Sequence, residues 1–233
     1  MLDQGLLNRF KEAIACLDDR FRGKQLTDDD VDQEVHRWLD GGDKPLDWGN
    51  GPAGRLTPDE WFFVSTLYGT MTASGQRTHI RKFFGPLFVE TAHRDIRNFA
   101  EGMAAFTGLR SPWMARRLCR MATVLREKSM TMSDYVAYLR NLDAAATSDD
   151  PTPALDTILR DHQAGEGKTL SVFVRDCVGG NCFPIDSRVQ KELNLRDLPV
   201  DERLLVRLSL AVGRNPRQIA RMFYEAGGEA AAI

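Results

Sequence analysis

The chain has 233 residues, 42% hydrophobic and 27% charged, with a formal net charge of −2. That length supports a substantial apolar core, as one large domain or two small lobes, and the composition is that of an ordinary globular protein. No apolar run approaches the ~20 residues of a membrane span, and a charge so near zero leaves nucleic acid open, so the position of the bases decides the matter.

The opening, MLDQGLLNRFKEA, is amphipathic and carries acids, unlike a basic-then-apolar signal peptide. Together with four scattered cysteines, Cys16, Cys119, Cys177 and Cys182, it points to a reducing cytosol. Cys177 and Cys182 read as two small buried side chains, because a zinc pair needs a second pair or a nearby histidine. No metal and no cofactor is expected, and no membrane partner.

Helical periodicity with cap signals recurs from end to end, with almost no period-two alternation, so the expected fold class is all-α. Leu6, Leu7, Phe10, Ile14 and Leu17 form one face of a first helix. Thr27 and Asp28–Asp30 open a second that carries Val31, Val35 and Trp38. Residues 40–56 form a Gly/Pro-rich loop, in which Trp48 either plugs a core edge or stacks on a ligand. Residues 1–56 therefore divide off as N-terminal helices and a loop, and 57–233 as the core.

Thr57-Pro58-Asp59-Glu60 is a capping box with proline at the first helical position. The helix beyond it is apolar on most sides, which makes it a central buried helix. It then turns polar and basic through Ser74, Gly75, Gln76, Arg77, His79, Arg81 and Lys82. That end is either a wedge presented to DNA or an ordinary basic helix terminus. A helix over 91–106 follows. Next comes one opened by Ser111-Pro112, with Trp113, Leu118, Met121 and Leu125 facing inward. Arg110, Arg116, Arg117, Arg120, Arg126 and Lys128 give it a basic outer face, either phosphate-facing or simply solvated. Further helices are expected at 132–142, 154–162, 187–194, 200–212 and 216–226, with a frayed tail, GGEAAAI.

The most informative stretch is Ala164–Val189, AGEGKTLSVFVRDCVGGNCFPIDSRV. A Gly-rich turn opens a helix at Lys168, Gly179-Gly180-Asn181 ends it, and Pro184-Ile185-Asp186 leads into the next. An amine and a carboxylate thus stand 18 residues apart, each at an element boundary. By themselves, such a lysine is usually solvated and such an aspartate is usually an N-cap.

The order of these parts resembles the helix-hairpin-helix DNA glycosylases over roughly residues 57–226. The apolar helix ending in small polar residues near Thr70–Gln76, the Gly108-Leu109 turn into a basic helix, Gly165-x-Gly167 with Lys168, and Pro184-Ile185-Asp186 carry the likeness. Lys168-Thr169-aliphatic followed by Pro-Ile-Asp-Ser-Arg-Val looks most like the archaeal 8-oxoguanine glycosylase branch. There are departures. Gly167 touches Lys168 directly, so a strict hairpin alignment would put Thr169 in the lysine slot and leave a plain hydrolase. The insertion that branch carries before its aspartate is missing, and no cysteine follows Cys182 to bind an iron–sulphur cluster.

The resemblance implies a two-lobed all-α fold with a DNA cleft between the lobes, and a monomeric enzyme of the nucleoid. Its partner would be double-stranded DNA holding a damaged base, 8-oxoguanine being the first choice. Lys168 would attack C1′ and Asp186 would stabilise the oxocarbenium-like transition state and take the amine's proton. Gly165, Gly167, Gln76, Arg77, Arg116, Arg117 and Arg188 would contact DNA. Trp48, Arg175 and Phe183 are the candidates for the base pocket, with Arg175 equally able to form an internal salt bridge. Open alternatives are a monofunctional glycosylase for alkylated or deaminated bases and a non-catalytic DNA-binding module.

Overall fold

A computed structural model describes residues 2–22, 57–67, 96, 112–164 and 167–229, without the side chains of 67, 112–115 and 229. All regular structure among these residues is helical. None of their helices is long and apolar enough to cross a membrane.

Helix α1 (Gln4–Arg20) begins at Asp3, whose carboxylate accepts from the Leu6 N–H, and buries Phe10, Ala13, Ile14 and Leu17. Helix α2 (Pro58–Leu67) opens with the expected capping box. The Thr57 N–H donates to Glu60 Oε2 at 2.7 Å and the Glu60 N–H to Thr57 Oγ1 at 3.3 Å. Every residue from Glu60 to Thr66 is buried, so α2 runs through the interior as its all-round apolar surface requires.

Helices α3 (Pro112–Glu127) and α4 (Met132–Ala144) follow, α4 opening on a reciprocal Thr131–Asp134 capping box. Helix α5 (Pro153–Asp161) has no side-chain cap from its own Thr152. The cap comes instead from Asp143 at the end of α4, whose Oδ1 accepts from the Ala154 N–H at 2.9 Å. Helix α5 stops in a Schellman turn: Gln163 is left-handed at φ +52°, and the Ala164 N–H reaches back to Leu159 O at 2.9 Å. Helix α6 (Lys168–Phe173) starts at Gly167 and widens into a π-helical turn, Val174–Val178, before Gly179 ends it at φ +77°. Helices α7 (Ser187–Leu195), α8 (Glu202–Ala211) and α9 (Pro216–Glu229) complete the described chain.

The start of the tail differs from expectation, and residues 230–233 lie outside the described residues. Gly227 and Gly228 are helical, not frayed, because α9 lies directly on α7 there. A Cβ on Gly227 would come within 2.7 Å of the Arg188 carbonyl carbon, so the missing side chain is what lets the two helices meet.

The buried apolar side chains form two separate clusters. One joins α2, Ile96, α3, α4, α5, α6 and the π-turn. The other joins α1 with Phe183, α7, α8 and α9, so the N-terminal helix packs with the C-terminal ones. Arg214 seals that arrangement by a two-pronged ion pair to Asp18 of α1 (2.7 and 2.9 Å), which holds the Asp18 carboxyl below its ordinary range. The segment 179–186 crosses from one cluster to the other.

Candidate functional site

Lys168 and Asp186 face each other across the seam between the clusters. The Lys168 Nζ lies 3.6 Å from Asp186 Oδ2, with the lysine side chain 35% exposed and the aspartate 13%. Lys168 is the first residue of α6 and Asp186 is the N-cap of α7. The two carboxylate oxygens divide the work. Oδ1 accepts the Arg188 and Val189 N–H groups at 3.0 and 2.9 Å, which locks the side chain, and Oδ2 is turned to the amine. Capping and facing the lysine are therefore two properties of one carboxylate.

Thr169, the alternative residue for the lysine slot, is buried. Neighbouring helical residues diverge by about 100°, and it is Lys168 that reaches Asp186. Gly167 is backed tightly against α5: a Cβ there would meet Leu159 Cδ2 at 3.0 Å and Leu170 Cδ1 at 3.2 Å. Lys168 can therefore start its helix close behind the α5–α6 turn.

The segment that carries Asp186 is held along its length by side chains from elsewhere. Arg140 of α4 donates to Val178 O (2.9 Å) and Cys177 O (2.6 Å), satisfying carbonyls that the end of the π-turn leaves open. Asp143 Oδ2 accepts from the Asn181 N–H. Gly180 passes so close to that carboxylate that a Cβ would also stand 2.9 Å from Val174 Cγ1. Glu202 Oε1 accepts from the Phe183 N–H at 2.7 Å and from the Ser171 hydroxyl. Burial pushes the carboxyls of both Asp143 and Glu202 up, opposed by the hydrogen bonds they accept. None of Arg140, Asp143 and Glu202 stood out in the sequence.

Other expected site residues are placed differently. Phe183 is fully buried, edge-on to Phe223 at 5.8 Å. It belongs to the second apolar cluster and has no open face for a base. Arg175 donates to its neighbour Asp176, Nε to Oδ1 at 2.5 Å and Nη2 to Oδ2 at 3.0 Å, which is the salt-bridge alternative. Arg188 stands in the first turn of α7 with its guanidinium 4.9 Å over the Tyr224 ring. It is exposed and next but one to Asp186.

The basic face of α3 is less uniform than its sequence. Arg116 and Arg126 are exposed, but Arg117 is half-buried, and burial lowers its pKa. Arg120 donates to Asp161 O at 2.6 Å, and Lys128 pairs with the Asp161 carboxylate at 3.3 Å. Together they tie α3 and the residue that follows it to the end of α5, where Tyr135 also donates to Asp161 Oδ2 at 2.7 Å. Behind them His162 is buried against Phe62, ring centroids 5.7 Å apart, with neither ring nitrogen hydrogen-bonded. Burial and the nearby Arg117 and Arg120 charges push its pKa down to about 3. Cys177 and Cys182 are buried and not disulfide-bonded, and burial pushes the Cys182 thiol up.

Trp48, Gln76, Arg77 and Gly165 lie outside the described residues. So do the helices expected at 27–38 and 91–106, apart from Ile96. No protein-family model matches the chain, and comparison with curated proteins and with solved structures finds no match.

Proposed function

We propose that the chain is a base-excision DNA glycosylase with associated lyase activity, acting on an oxidised purine such as 8-oxoguanine in duplex DNA. The observation that carries this reading is the Lys168 amine set 3.6 Å from a carboxylate oxygen of Asp186, whose other oxygen is occupied by two backbone N–H groups. An amine beside an oriented carboxylate, partly exposed at a seam between two helical groups, suits attack on a sugar carbon. The order of sequence motifs supplies the substrate class.

In this reading the damaged nucleotide is turned out of the stack toward the seam. The C1′–N bond breaks with its electron pair passing to the base, and Asp186 stabilises the positive charge that grows on the sugar. The Lys168 nitrogen bonds to C1′ and passes a proton to Asp186. Opening of the sugar gives a Schiff base. Removal of a C2′ proton then breaks the C3′–O bond and cuts the strand. The exposed Arg116 and Arg188 would grip phosphates.

The test is base release from a panel of duplexes, each holding one damaged base, with wild type and Asp186→Asn compared. Release of 8-oxoguanine by wild type, lost in the variant while lesion-duplex binding persists, supports the reading. Release from no duplex in the panel overturns it.

A further inference from the structure

The first turn of α8 meets both elements that hold the Lys168–Asp186 pair. Glu202 opens that helix, and Asp201 caps it by accepting the Leu204 N–H at 3.0 Å. One oxygen, Glu202 Oε1, accepts the Ser171 hydroxyl and the Phe183 N–H. Ser171 lies one turn along α6 from Lys168, and Phe183 lies three residues before Asp186. The next residue, Arg203, donates its Nε to Asp156 of α5 at 2.8 Å. A single turn thereby fastens α5, α6 and the segment leading to Asp186.

We propose that Glu202 is a positioning residue that fixes the distance between Lys168 and Asp186 through this shared oxygen. Lys168 and Asp186 start different helices, in different apolar clusters, so neither helix alone sets their separation. The Glu202 oxygen is a point where the two chain segments share a partner. A partly buried, desolvated acid is a costly way to fill space, and an apolar side chain would fill it without desolvating a carboxylate. What an apolar side chain cannot do is accept two donors from two segments. The geometric part of this inference stands by itself; its catalytic consequence rests on the glycosylase reading.

The test uses the full chain with Glu202→Gln, Glu202→Ala and the milder Ser171→Ala. Two quantities are read. One is the Lys168–Asp186 contact, read as the Nζ–Oδ2 separation in the crystal structure of each protein. The other is the rate of borohydride-trapped crosslinking to an 8-oxoguanine duplex at saturation, with the duplex Kd measured alongside. An amide oxygen accepts both donors, so Glu202→Gln should keep the contact and a near wild-type rate. Glu202→Ala should lose the contact and slow crosslinking by about 100-fold at unchanged Kd, the scale expected for a reacting group misplaced by about 1 Å. Ser171→Ala should slow it by about tenfold. It keeps the question decidable if Glu202→Ala does not fold. The inference is overturned if the contact is missing in wild type, if contact and rate survive both alanine variants, or if Gln is as slow as Ala. If wild type forms no crosslink, the glycosylase reading fails and the Nζ–Oδ2 separation alone decides the positioning role.

Discussion

Asp186 presents one carboxylate oxygen to the backbone of its own helix and the other to Lys168, 3.6 Å away. This division of labour separates two effects that a single substitution usually mixes. Asparagine caps a helix about as well as aspartate, whereas alanine does not cap at all. Asp186→Asn should therefore unfold within a few tenths of a kcal/mol of wild type, and Asp186→Ala about 1 kcal/mol sooner. Both should lose base release. Urea melts beside turnover assays check this; an Asp186→Asn variant with wild-type turnover would leave Asp186 a cap only.

His162 gives the protein an acid-sensitive element. Its folded pKa of about 3 lies below the unfolded value near 6.5. The native state therefore holds it neutral, and the unfolded state takes up the proton first. The stabilisation is complete above pH 6.5 and is lost as pH falls toward 3. At pH 5 the loss from this group is about 2 kcal/mol. Urea melts at pH 8 and pH 5 should differ less in His162→Leu than in wild type by roughly that amount. Equal pH dependence in the two proteins would contradict the assignment.

The bases of α3 should separate by exposure. Arg116 is exposed, whereas Arg120 and Lys128 are bonded to Asp161. Arg116→Ala should weaken binding to damaged and undamaged duplex alike and reduce the salt slope of log K by about 0.9, one phosphate contact. Arg120→Ala should instead lower stability through the loosened α3–α5 junction. Titrations across a salt series check the first expectation. Weakening confined to lesion DNA would contradict a phosphate role for Arg116.

Local signals were legible in the sequence. The Thr57–Glu60 capping box, the apolar face of α1 and the glycines ending the π-turn all follow from residues a few positions apart. The spacing of Lys168 and Asp186 singled out two residues that the fold does bring together. The surrounding supports were not legible, because their partners are remote. Glu202 meets donors 19 and 31 residues away, and Asp143 caps a helix from 11 residues before it. No window of sequence contains such pairs. Phe183 differs from the base-pocket expectation for a related reason: the chain crosses into the second core at that residue, where its ring lies edge-on to the remote Phe223. The glycines of the tail misled too. Their helix is kept by close packing on Arg188, which intrinsic propensity does not report.

Whether Lys168 is the nucleophile is decided by borohydride trapping on a duplex containing 8-oxoguanine, with wild type, Lys168→Gln and Thr169→Ala side by side. Reduction turns a Schiff base into a permanent crosslink. A crosslink is expected with wild type and with Thr169→Ala, none with Lys168→Gln, and the DNA adduct on Lys168 in the digested protein. An adduct on another residue, or base release with no crosslink in any of the three, would contradict the role given to Lys168.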